Sequence, residues 1–128
     1  GVIELGASWL PSWLRFMDSG FEAFRKGEAR LQALSMKPSE LAERQLRVTP
    51  YCHEPTGWIL RESSPDMLLF SSDFPHVEGG RNPVKRFEDN MEGISDEALG
   101  RFYRDNFIDL MGRGLDESLY DHPSQQAA

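Results

Sequence analysis

Asp73 and His76, two side chains with acid–base chemistry, stand three residues apart directly after an apolar run, in LLFSSDFPHVEGG (residues 68–80). Met67 to Phe70 is apolar throughout rather than alternating, the pattern of a parallel strand buried on both faces. Asp73 then falls just past the strand's C-terminal end, where parallel α/β folds bind their ligands. A carboxylate there can ligate a divalent metal or act as a general base. The same residue type also caps ordinary turns. Pro75 stiffens the exit and sets the direction of His76, which as a bare loop residue would simply be solvated.

Three further positions carry comparable chemistry. Glu4 is the only charge in the short run Val2–Leu5, and a lone carboxylate in a buried run is costly unless paired or solvated. It is a candidate ligand, base or salt-bridge partner. His53 ends a second β-prone stretch, Tyr51-Cys52-His53-Glu54, and joins Glu4 and His76 as a candidate for contacting a substrate. Cys52 and His53 are neighbours, so a strand sends them to opposite faces and they do not grip one metal together. Cys52 reads as a small buried apolar residue. His122 lies in a polar tail with no assigned role. Neither Gly-rich phosphate loop, G-x-G-x-x-G or G-x-x-x-x-G-K-[ST], occurs, and H-E-x-x-H and G-x-S-x-G are missing as well.

The elements that must position these residues follow from periodicity. Val2–Leu5 is a β-prone run closed by Gly6. Pro11 suits a first helical turn, and Trp9, Leu10, Trp13, Leu14, Met17, Phe21 and Phe24 recur at helical steps, with the pattern resuming to Leu34. Pro38 opens a second helix. Arg47–His53 reads as a strand, weakened by Pro50. Residues 54–61 suit a turn or two of helix, and Met67–Phe70 is the clearest strand. Asn82 caps a helix begun by Pro83, and Ser95 caps a last helix with Asp96 and Glu97 in its first turn. Strands separated by helices imply parallel β/α units.

Composition narrows the class. The chain has 128 residues, 21 acids against 14 bases and a formal charge of −7. Scattered Lys and Arg on an acidic background exclude a general phosphate-backbone binder, so no nucleic-acid partner is expected. No stretch approaches the roughly 20 apolar residues of a membrane span. One cysteine allows no intrachain disulfide and suits a reducing, cytoplasmic setting. Three parallel strands leave both sheet edges open, and a complete (β/α)₈ barrel needs about 250 residues. The chain is then either a small α/β domain or the last part of a larger barrel, in which case residues 1–112 are the barrel portion and 113–128 a polar tail.

Ser71-Ser72-Asp73-Phe74-Pro75-His76 after an apolar strand resembles the last-strand motif of the amidohydrolase-related, metal-dependent hydrolases, the branch that includes aminocarboxymuconate-semialdehyde decarboxylase. Asn82-Pro83, Asp105-Asn106 and Met111-Gly112 fit the elements that follow, and Glu4-Leu5-Gly6-Ala7-Ser8-Trp9-Leu10-Pro11 is similar to the exit of the sixth strand. The resemblance implies a (β/α)₈ TIM barrel of which this chain supplies about strands six to eight. It also implies a divalent metal, zinc or manganese, with Asp73 as ligand or proton-handling carboxylate. Members hydrolyse amide, ester or C–C bonds or decarboxylate aromatic acids, which implies a small organic acid, amide or ester as the substrate here. The sixth-strand position is His in many metal-binding members and Glu4 here. The first-strand His-x-His pair and the middle-strand histidine belong to strands outside this chain, so its ligand set is incomplete. The expected partners are a small-molecule substrate and either the remainder of the barrel or further copies of the chain.

Two other classes compete with the enzyme. A non-catalytic α/β interaction domain would use its aromatic helices to bury a partner. A small zinc module would recruit Cys52, His53, Asp73 and His76.

Overall fold

The computed structural model describes residues 1–116 and 118. Most of the proposed tail, His122 included, lies outside the described residues. Three short extended segments lie side by side and parallel, bridged at Val2–Val48 and Val48–Leu68. Val2 N–H donates to Arg47 O (2.7 Å) and Thr49 N–H to Val2 O (3.0 Å); Val48 N–H donates to Met67 O (2.8 Å) and Leu69 N–H to Val48 O (2.9 Å). Val48 is therefore central, and it is fully buried, as are Met67 and Leu68.

The expected parallel order is present, but the strands are far shorter than their apolar runs. Glu4 (φ 57°) and Gly6 (φ 65°) turn the first segment away after Val2. Pro50 has no N–H to extend the second. The Phe70 N–H leaves the third and donates to Phe102 O (2.8 Å) instead of to a neighbouring strand. The described chain is mostly helical as a result.

The helices are α1 (Leu10–Phe24), α2 (Ala29–Gln32), α3 (Pro38–Gln45), α4 (Thr56–Glu62), α5 (Pro83–Glu88), α6 (Asp96–Gly100) and α7 (Asn106–Met111). Proline stands in the first turn of α1, α3 and α5, where its missing N–H costs nothing. Asn82 Oδ1 accepts from Lys85 N (3.3 Å) and Ser95 Oγ from Ala98 N (3.3 Å), the caps their sequence positions suggest. The long first helix does not run to Leu34. It ends at Phe24, Gly27 N–H folds back on Phe24 O (3.0 Å), and the Glu28 carboxylate starts α2 by accepting from Arg30 N (3.3 Å).

The last helix is also interrupted, by a π turn at Arg101–Asp105. The wider turn presents Phe102 O to the Phe70 amide, and Asn106 Nδ2 then donates to Pro65 O (2.7 Å) and Leu68 O (2.8 Å). Such π turns are rare and occur mostly as single-turn interruptions inside α-helices. Behind them sits an aromatic cluster: Phe87 and Phe102 lie 5.2 Å apart edge-to-face, and Phe70 meets Phe87 at 5.6 Å and Tyr103 at 5.4 Å. Burial, with a smaller push from Glu88, raises the Tyr103 phenol to about 12.

Phe87 is fully buried against the strand segments and the π turn. Phe87→Ala is expected to cost about 3–5 kcal/mol of stability, the usual range for an aromatic truncated in a core. Denaturant titration of the intact protein measures it, and a cost under about 1 kcal/mol would show that the cluster does not hold the fold.

Candidate functional site

The C-terminal sides of all three parallel segments converge on one open cleft. Its floor and walls are Glu4 from the first, Tyr51 from the second, and Asp73, His76 and Glu78 from the third, around a volume of about 540 Å³. A second hollow of about 240 Å³ adjoins it and shares Glu4, Tyr51, Asp73 and His76.

Asp73 is placed by its own loop. Ser71 Oγ accepts from Asp73 N (3.3 Å), Ser72 Oγ from Phe74 N (3.3 Å), and His76 N–H closes the turn on Asp73 O (2.8 Å) across a cis Phe74–Pro75 peptide. The one-turn 3₁₀ helix Val77–Gly79 then comes back against the loop. A Cβ on Gly79 would lie 2.2 Å from Ser72 O, so only glycine allows that approach.

The first segment is held by a different device. The Glu54 carboxylate accepts from Ala7 N (3.1 and 2.9 Å), Ser8 N (2.8 Å), Ser8 Oγ (2.5 Å) and Tyr51 N (2.7 Å). Burial works to raise this carboxyl, but the donors outweigh it and hold it below its ordinary value of 4.5. Gly6 makes room: it has positive φ, and a Cβ there would sit 2.9 Å from both Glu54 oxygens.

Glu4, Asp73 and His76 come together as a result. His76 Nδ1 lies 3.3 Å from Asp73 Oδ1 and 3.7 Å from Glu4 Oε1. One ligand-type atom from each falls within 4.8 Å of the others. Asp73 is the shielded member, its side chain 19% exposed against 63% for Glu4 and 57% for His76. Both carboxylate residues have positive φ, 57° and 55°, uncommon for residues other than glycine. Tyr51 forms the wall beside them. Desolvation, and then the fields of Asp73, Glu4, Glu78 and Glu54, push its phenol up and keep it a neutral donor.

His53, expected beside Glu4 and His76, does not join them. It sits in a turn beyond Pro50, exposed, with its ring stacked on Tyr51 at 5.4 Å and 8°. Cys52 is buried, with Sγ 3.5 Å from the Glu78 and Gly79 carbonyl oxygens. The zinc module built on Cys52 and His53 is therefore not assembled: among the described residues, the group with metal-ligand spacing is Glu4, Asp73 and His76. Glu54 and Tyr51 carry no motif. The signal for Glu54 was its place, an acid ending a β-prone run just before Pro55 and a helix.

Two carboxylates and an imidazole at the C-terminal ends of parallel strand segments define a site able to hold a cation and move protons. No protein-family model and no curated protein matches the chain. A solved structure that is similar to it is that of an amidohydrolase from Mycobacterium avium subsp. paratuberculosis K-10, with a TM-score of 0.68 and 25% identity, covering 86% of this chain and 27% of that one. This chain thus shares its fold with part of an amidohydrolase, spanning 27% of that protein's length.

The Glu54 anchor makes a pH-dependent prediction. A folded-state value below the ordinary one gives stabilisation that is complete above pH 4.5 and lost as pH falls through the folded value. Glu54→Gln turns an amide NH₂ toward backbone donors and is expected to cost about 1–3 kcal/mol at neutral pH. Its stability should then fall less steeply than the parent's below pH 4.5. Parallel acid-limb denaturation curves for the two proteins would show that Glu54 does not bear this load.

Proposed function

We propose that the chain is the C-terminal portion of a metal-dependent enzyme of the amidohydrolase type, built on a (β/α)₈ barrel. The observation that carries this is the gathering of Glu4, Asp73 and His76 at the C-terminal ends of the parallel segments. The amidohydrolase neighbour supports it.

The three residues suit a divalent cation. Ligands about 2.1 Å from one ion lie about 3.0–3.4 Å apart, and the separations here are 3.3 and 3.7 Å from His76 Nδ1, with all three atoms within 4.8 Å of one another. A divalent metal, when bound, polarises a carbonyl or carboxylate and acidifies water. The protein's own part is proton handling and positioning. Asp73, shielded and fixed by its loop, accepts a proton from the attacking water or delivers one to carbon. His76 Nδ1 would face the cation beside Asp73 Oδ1 and Glu4 Oε1, leaving Nε2 for the substrate. The Tyr51 phenol stays protonated beside the carboxylates and donates a hydrogen bond. Phe74 and Val77, exposed on the rim, offer apolar surface to a small organic acid, amide or ester.

Zinc takes three or four protein ligands. The remaining ones would come from other barrel strands, whose accompanying helices would also cover the exposed Trp13, Phe16 and Phe24 of α1. No helix among the described residues is long and apolar enough to cross a membrane. With the free, buried Cys52, that supports a cytoplasmic enzyme.

Asp73→Asn tests this in the intact protein. It is expected to lower kcat/KM by about 10²–10⁴-fold, the range for a lost proton-transfer group, on a panel of small esters, amides and carboxylic acids. Metal content after dialysis is expected to fall with it. A variant that keeps both its metal and its turnover would exclude Asp73 from the site.

A further inference from the structure

The last helix meets the third extended segment as if it were one more strand. In the parallel pair already formed, Val48 sits between Met67 and Leu69: its N–H donates to Met67 O (2.8 Å) and its carbonyl accepts from Leu69 N (2.9 Å). Alternate residues of a strand direct their backbone groups to opposite edges, so Leu68 and Phe70 present theirs to the other side. A further parallel strand would put one residue between them, with an N–H for Leu68 O and a carbonyl for the Phe70 N–H. Both partners are present, and both come from the helix. Asn106 Nδ2 donates to Leu68 O (2.8 Å), and Phe102 O accepts from Phe70 N (2.8 Å). The π register makes this possible. It sends the Asn106 N–H back to Arg101 O, which releases Phe102 O from the bond an α-helix would give it. Asn106 is only 4% exposed, and its amide also holds Pro65 O (2.7 Å), so water does not compete for the position.

We propose that Asn106 and the Arg101–Asp105 turn stand in for one residue of a neighbouring parallel strand, closing this edge over Leu68–Phe70 and fixing where a further strand can join. Exposed edges pair with other chains unless they are covered, and a helix is one of the usual covers. Among the described residues, the next outward pair, Phe70 O and the Ser72 N–H, has no partner. It is the same pair of groups, two residues on, that Asn106 and Phe102 occupy at Leu68 and Phe70. An extended segment running parallel therefore adds there, at the level of the loop that carries Asp73, and leaves the helix in place. Main-chain pairing of this kind needs an extended backbone in the partner rather than a particular side chain. The inference does not depend on the metal-dependent reading above.

Scalar coupling across hydrogen bonds, measured by NMR on the isotope-labelled intact protein, reads the bond directly. The Phe70 amide nitrogen is expected to correlate with the Phe102 carbonyl carbon, as the Leu69 nitrogen does with that of Val48. Correlation of Phe70 with any other carbonyl would show that a true strand holds this edge and would overturn the proposal. So would no correlation at Phe70 while that of Leu69 persists. Two variants then remove the substitute by different routes. Asn106→Asp keeps the shape but turns acceptors toward two carbonyls. Deleting the exposed Arg104 returns the turn to α-helical register, in which the Phe107 N–H takes Phe102 O. Each is expected to speed hydrogen exchange at Phe70 at least about a hundredfold relative to Leu69, and the opened edge is expected to raise the association state in sedimentation velocity. Phe70 exchange that stays slow in both would count against the helix as the cover. An opened Phe70 with the parent's association state would overturn the guarding role.

Discussion

The carboxylate of Glu54 holds what the sheet does not. With the strands reduced to single bridges, no hydrogen-bond ladder extends to their C-terminal ends, where the cleft lies. Glu54 replaces that ladder with one anion that accepts from Ala7 and Ser8 after the first segment and from Tyr51 after the second. Hydrogen bonds to a charged acceptor are stronger than neutral ones, about 1.5–3 kcal/mol each before the cost of partly burying the charge. The net effect keeps the carboxyl ionised. Three local features follow from the clamp. Gly6 must lack a side chain, Tyr51 is fixed at the cleft wall, and the chain leaves Glu4 in time to start α1 at Leu10.

The two ends of the parallel segments are treated differently. At the N-terminal ends, charges are paired: Arg47 with Asp109 (2.5 Å), and Arg101 with Asp66 and Glu97. Arg47 is buried, and its Nη1 also donates to the Glu43 and Leu46 carbonyls, both at 2.9 Å. Its Nε is buried without a partner, and Asp109 is largely exposed, so the guanidinium is held through its two Nη groups in a structural role. At the C-terminal ends the balance reverses. Glu4, Asp73 and Glu78 face one cleft, with His76 as their one nitrogen base. That excess of acids over bases on one face is what a cation site requires.

Local sequence carried those features whose causes are local. The caps at Asn82 and Ser95, the prolines that start α1, α3 and α5, and the acid placed just past Met67–Phe70 each depend on a few adjacent residues. Periodicity overstated the strands and the helices for the same reason in reverse. Nothing near Phe70 announces that its amide is taken by Phe102, 32 positions on, and without that partner the π turn cannot be foreseen. Glu54 meets Ala7 and Ser8 across 47 and 46 positions, a separation that leaves no pattern in either stretch. His53 ends a β-prone stretch in sequence, but the turn beyond Pro50 stacks its ring on Tyr51 rather than bringing it to Glu4 and His76.

Glu4 and Asp73 are the two described residues other than glycine with positive φ, and both belong to the candidate site. Backbone in that region costs of order 1 kcal/mol or more for residues with a side chain, and it persists only where the surroundings leave no alternative. Here the surroundings are two separate restraints. Glu54 pins the residues after Gly6, and Gly79 presses on Ser72 from behind the Asp73 loop. Relaxing either φ to an ordinary value would swing a carboxylate away from His76. The fold therefore spends conformational energy to keep three polar side chains converged where neither burial nor a helix cap requires them. An aspartate at such a φ is ordinary in a turn, but a glutamate so held beside it gives the three side chains the placement that joint action on a bound cation would use.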